Sequence, residues 1–122
     1  MPRAQSDGPE APTLEDRPSV FLRALDKITA RITEIDIPVG EERRFGSLAI
    51  SVRYCRTRPP IEPPETYAYL DIFEIRGQDR MPVFSGWMVA SSPALNPLEH
   101  PVYDVWVIRC STDAPFVPAG SR

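Results

Sequence analysis

A chain of 122 residues, 42% hydrophobic and 25% charged, supports one hydrophobic core and is too short for two. Its formal net charge of −3 removes any electrostatic case for nucleic acid or an anionic membrane surface. No stretch approaches the roughly 20 apolar residues needed to cross a bilayer as a helix.

Fifteen prolines punctuate the chain, concentrated in residues 1–18, 58–65, 93–101 and after Cys110. Proline lacks an amide donor and is excluded from strand and helix interiors, so these clusters mark ends and loops. Residues 1–19 read as a flexible proline-rich arm: acidic and small polar residues dominate, and Leu14 is their one large aliphatic side chain besides Met1. Met1–Val20 carries no apolar run of the kind a secretory signal requires. Two readings follow: a mature or trimmed form of an exported protein, or a cytoplasmic one.

The single β domain is expected over residues 20–111. Residues 20–30 (VFLRALDKITA) fit a short helix about as well as a strand. Residues 28–37 (ITARITEIDI) are rich in β-branched side chains, and the jump from Ile32 to Ile35 in their alternation predicts a bulged strand. Pro38, Val39 and Gly40 turn the chain. Residues 44–56 form the clearest strand region, with Leu48, Ile50, Val52 and Tyr54 on one face and Ser47, Ser51, Arg53 and Cys55 on the other.

Residues 58–65 (RPPIEPPE) are an extended loop. In residues 66–76 the alternation places Ala68, Leu70 and Ile72 one way and Tyr67, Tyr69 and Phe73 the other. A turn at 77–80 leads into a partner strand over 81–91, where Gly86 implies a bulge or a close backbone approach. Residues 92–101 hold three prolines and form a long, well-fixed loop before a last strand at 102–110. Residues 112–122 read as a flexible tail. The expected class is all-β: a small β-sandwich or partly open barrel of five to seven short antiparallel strands with at most one short helix.

Cys55 and Cys110 each fall near a strand end. Their spacing leaves two readings open, a disulfide closing a loop of about 55 residues or a pair of buried thiols. Two cysteines and one histidine do not suffice for a structural zinc site, and nothing points to a metal or a cofactor. His100, with Ser92 and Asp104, is the only material for a Ser-His-Asp arrangement, and there is no nucleophile-elbow motif to support it. The plainer reading of His100 is a loop-ordering residue bonded to backbone carbonyls. Acidic side chains are scattered with no pair in a hydrolase-like context. Trp87 and Trp106 sit on apolar phases and read as core. Tyr67, Tyr69, Ser91, Ser92, His100 and Tyr103 make up the candidate binding surface.

Three runs are distinctive together: LDKITARITEIDIPVGEERRFGSLAISVRYC, PPETYAYLDIFEI and VFSGWMVASSPALNPLEHPVYDVWVIRC. Over residues 25–110 the chain resembles the alphaproteobacterial family known as domain of unknown function 2155. The resemblance implies export to the periplasm and a Cys55–Cys110 disulfide, and it points to no particular activity. It also implies work beside a membrane complex, a respiratory one among the options. With no catalytic constellation in the sequence and a proline-fixed loop at 91–101 suited to recognition, the expectation for function is a non-enzymatic accessory module with a protein partner. The alternative is a carbohydrate- or envelope-binding β-sandwich.

Overall fold

The computed structural model describes residues 14–111. Among them every regular element is a strand: β1 (Glu15–Asp16), β2 (Ser19–Asp26), β3 (Arg31–Pro38), β4 (Glu42–Phe45), β5 (Leu48–Thr57), β6 (Thr66–Arg76), β7 (Asp79–Val89) and β8 (Tyr103–Ser111). Two antiparallel sheets result. One has the order β1-β5-β6-β7 with β4 also on β5, and the other has the order β3-β2-β8. The sheets pack as an open sandwich, with β2 and β8 lying over β5 and β6. The all-β class holds, with eight strands once two-residue β1 is counted and no helix among the described residues.

Alternation builds the core. Val20, Leu22 and Ala24 of β2 and Val105 and Val107 of β8 point inward, against Leu48, Ile50 and Val52 of β5 and Ala68, Leu70 and Ile72 of β6. Each larger aliphatic side chain contributes about 1.5–3 kcal/mol by leaving water. The ambiguous segment at 20–30 resolves as strand because β2 is the central strand of its sheet, paired on both sides. Tertiary pairing overrides its weak helical spacing.

Four expectations need correction. The strand expected at 28–37 starts only at Arg31, and its register with β2 is unbroken. Residues 27–30 are a turn, held by Asp26 Oδ1, which accepts from the amides of Ile28 and Thr29 at 2.9 and 3.2 Å. The jump from Ile32 to Ile35 is therefore a change of face: Ile32 is exposed, and Ile35 and Ile37 face the core side. The strand expected at 44–56 is two strands, β4 and β5, joined by a turn at Gly46, whose φ is +57°. Ordered structure also begins ahead of Val20, since Glu15–Asp16 pair with Arg56 and Thr57 of β5. The rest of the expected arm, residues 1–13, and the tail at 112–122 lie outside the described residues.

The fourth correction decides the disulfide. Val52 pairs with Leu70, but Tyr54 pairs with Tyr69, so Arg53 is an extra residue in β5. In β8, Val107 pairs with Leu22 and Arg109 with Phe21, so Ile108 is extra there. A bulge reverses the facing of everything after it. Tyr54 therefore turns outward and Cys55 inward, where regular alternation would place them the other way round. Arg109 and Cys110 are exchanged in the same sense. The two cysteines are 1% and 8% exposed and form a disulfide with a Cα–Cα distance of 5.8 Å, joining the two sheets across the core.

Residues 90–102 run from the end of β7 to the start of β8 and bridge the sheets on that side. Leu98, buried at 4% exposure, anchors the loop into the core. Asn96 Nδ2 donates to the Trp87 carbonyl at 3.0 Å, and a Cβ at Gly86 would come within 2.9 Å of that amide nitrogen. Gly86 is thus the close backbone approach its place in the strand suggested. The bulge in β7 lies elsewhere, at Val83, between the Ile72–Phe84 and Phe73–Pro82 pairs.

Candidate functional site

Because Arg53 is a bulge residue, Tyr54 joins the outer face of the five-stranded sheet. Register then places it opposite Tyr69, which stands opposite Trp87, so one aromatic from each of β5, β6 and β7 forms a row. The Tyr54 and Trp87 rings stack at 5.9 Å, and both meet Tyr69 edge to face, at 6.4 and 5.3 Å. Two guanidinium groups lie over these rings. Arg56 stands 4.5 Å from the Tyr54 centroid and 5.6 Å from that of Trp87, and Arg53 stands 5.2 Å from Tyr69.

Polar bonds fix the row in place. Asp71 accepts from Arg53 Nε at 2.6 Å and from Ser85 Oγ at 2.6 Å, and Ser85 is 3.2 Å from the Tyr69 hydroxyl. Burial alone would raise the Asp71 carboxyl, but the bonds from Ser85 and Arg53 outweigh it and hold the group below the ordinary aspartate range. Arg56 is bonded to Asp16 of β1 at 2.7 Å. Tyr54 and Trp87 stay 43% and 36% exposed. Trp87 is therefore a surface residue and not part of the core. Its alternation was legible, but nothing local showed that its face of β7 meets solvent.

The other predicted residues are distributed over the molecule. Tyr67 lies on the outer face of β6, where its hydroxyl accepts from Arg58 at 3.2 Å. Ser91 bonds Glu65 through its amide at 3.3 Å and also through its hydroxyl, tying the two proline-rich loops together. Ser92 is an exposed loop residue whose amide donates to Val89. His100 and Tyr103 are at the far end of the sandwich, against Glu74. Tyr67 and Glu74 are seven residues apart on β6, about 23 Å at the usual rise. The six residues therefore do not form a single surface. Tyr69 alone of them belongs to the aromatic row.

His100 is committed on both nitrogens. Nδ1 accepts from the amides of Val102 and Tyr103 at 3.0 and 3.2 Å, so the ring proton resides on Nε2, which is 2.5 Å from Glu74 Oε1. The loop-ordering role holds, with backbone amides as the partners in place of carbonyls. Glu74 also accepts from Ser47 Oγ at 2.6 Å. The Ser47 hydroxyl and then His100 hold the Glu74 carboxyl below the usual glutamate range. Ser92 and Asp104 take no part, so the Ser-His-Asp arrangement does not form. The Tyr103 ring packs on His100 at 5.2 Å and edge-on to Phe45 at 5.3 Å, directly over Gly46. Among the described residues no cluster of three or more His, Cys, Asp or Glu side chains could hold a metal ion, and no helix is long and apolar enough to cross a membrane.

The family model described as "Uncharacterized protein conserved in bacteria", domain of unknown function 2155, matches residues 20–110. The chain belongs to this family. The matched span contains every strand of the sandwich except β1, apart from single residues at its two ends, and includes both cysteines. A relative from Rickettsia prowazekii (strain Madrid E), the "Uncharacterized protein RP359", is 36% identical over 88 residues. The alignment covers 71% of this chain and 57% of that relative, so the chain spans little more than half of the protein it matches. No solved structure matches the chain.

Proposed function

We propose that this chain is a non-enzymatic binding module of the periplasm that works through a protein partner, and that the outer face of the five-stranded sheet is where the partner docks. The observation that carries the reading is the row Tyr54, Tyr69 and Trp87 with Arg53 and Arg56 laid over it. Tyrosine, tryptophan and arginine are the side chains that dominate the energy of protein interfaces, because they bury large rigid surfaces and still make polar bonds. Here they are preorganised by Asp71, Ser85 and Asp16, so docking costs little side-chain entropy. The inter-sheet disulfide supports the compartment, since such bonds persist where the surroundings are oxidising. A membrane-associated complex is the class of partner the family resemblance favours.

A glycan platform, the competing use of such aromatics, needs an uncovered ring face for a sugar to stack on. In this row the rings lean on one another and carry guanidinium groups, which favours the protein-partner reading. Affinity capture from a native membrane extract tests it, comparing wild type with Trp87→Ala and with an Arg53→Glu/Arg56→Glu double variant. A partner retained by wild type and lost by both variants is the expected result. A wild-type chain that stays a partnerless monomer, or a partner held equally by all three, overturns the proposal.

A further inference from the structure

A second site lies on the opposite sheet. The loop at 90–102 stands off β8 and leaves a cleft of about 380 Å³, lined by Pro93, Ala94, Pro97, Asp104, Val105 and Trp106. That volume is at the small end of ligand-binding clefts. Asp104 and Trp106 are two apart on β8 and share its outer face, so a carboxylate and an indole line the same wall.

Among the described residues neither side chain has a polar or cationic partner. The Asp104 carboxylate has no hydrogen-bond or ion-pair partner among them. The rings of Tyr54, Tyr69, Phe73, Trp87 and Phe21 each carry an arginine, whereas no described cation lies over Trp106. Arg23 is its register neighbour on β2, but that guanidinium is bonded to Glu34 at 2.8 Å. A half-buried carboxylate beside a bare indole and three apolar loop residues complements a cation on an aliphatic stem. The strand itself indicates what carries that cation. Among the described residues β8 is an edge of the order β3-β2-β8, paired on one side only, and an extended peptide adds to such an edge while placing alternate side chains in the flanking pocket.

We infer that this cleft binds an arginine or lysine side chain of an extended polypeptide segment laid along β8, with Asp104 pairing the charge and Trp106 and the prolines covering the stem. This site is independent of the aromatic row on the other sheet and stands or falls without it.

The test is a titration of the isotope-labelled, disulfide-bonded full chain with acetyl-Gly-Arg-Gly-amide, followed by amide and indole NMR shifts. The controls are the citrulline peptide, which keeps the shape and lacks the charge, and Asp104→Asn and Trp106→Leu proteins whose spectra confirm the fold. Saturable shifts at Ala94, Asp104 and the Trp106 indole are expected, weakened about tenfold by citrulline or by Asp104→Asn. Loss of saturable binding is expected with Trp106→Leu. Equal binding of the arginine and citrulline peptides, or of wild type and Asp104→Asn, overturns the inference. So do scattered, non-saturating shifts. Shifts confined to Tyr69 and Trp87 also overturn it, and leave the docking face on the other sheet untouched.

Discussion

Cys55 and Cys110 occupy equivalent places in their strands. Each lies two residues beyond an extra residue, Arg53 in β5 and Ile108 in β8, and each is turned into the core by that residue. The bridge between them is the one covalent tie from sheet to sheet. It encloses a sequence separation of 55, which on the chain-entropy model stabilises the fold by roughly 4 kcal/mol. Denaturant unfolding of Cys55→Ser/Cys110→Ser should show a loss of about that size, matched by wild type under reductant. A change below about 1 kcal/mol would mean the bridge is incidental to stability.

The paired bulges make a sharper prediction. Deleting Arg53 restores regular alternation in β5, which sends Tyr54 inward and Cys55 outward. The deletion protein should show two titratable thiols in place of none. Deleting Ile108 should expose the thiols in the same way by reversing the facing of Cys110. A deletion protein that folds and still forms the Cys55–Cys110 bond contradicts the register account.

Glu74 is the acid-sensitive group of the loop anchor. Its carboxyl is held below its ordinary value by Ser47 and then His100, so the folded pKa is the lower of the two states. The stability it contributes is therefore complete above the unfolded value, about 4.3, and is lost as pH falls through the folded one. Glu74→Gln should destabilise the protein by about 1–3 kcal/mol at pH 7 and flatten the fall in stability below about pH 4.3. An acid-unfolding profile unchanged by the substitution would remove Glu74 from this role.

Gly46 makes the turn between β4 and β5 at a φ of +57°, and a Cβ there would collide with the Tyr103 phenol. Gly46→Ala combines a strained backbone with a displaced ring and should cost at least ~2 kcal/mol by thermal or chemical denaturation. Gly40→Ala has the same sign of φ, at +91°, but nothing near its Cβ, so its effect should be smaller. Equal losses would deny the Tyr103 contact any weight.

Much of the fold was legible in the sequence because alternation states directly which residues share a face. In β6 the division of Ala68, Leu70 and Ile72 from Tyr67, Tyr69 and Phe73 between two faces holds residue for residue, and the structure shows the first set buried. The proline clusters at 58–65 and 93–101 mark loops as expected. The failures lie where the period breaks. The bulge at Arg53 leaves no mark in the alternation, which puts Tyr54 on the face of Leu48, Ile50 and Val52 and Cys55 on the other. Cross-strand neighbours are also invisible to a linear reading. The row across three strands and the pairing of His100 with Glu74 depend on registers set by the whole sheet, and so the residues named as one surface prove to be dispersed.

The docking face is tested most directly by placing a photo-crosslinking residue at Val89, two residues from Trp87 on the same face of β7, in the chain expressed in its own bacterium, with Glu34 on the opposite sheet as the control position. The account predicts a discrete cross-linked partner from position 89, absent from position 34 and lost when Arg53→Glu/Arg56→Glu is added. The same adduct from both positions, or none from position 89, would contradict it.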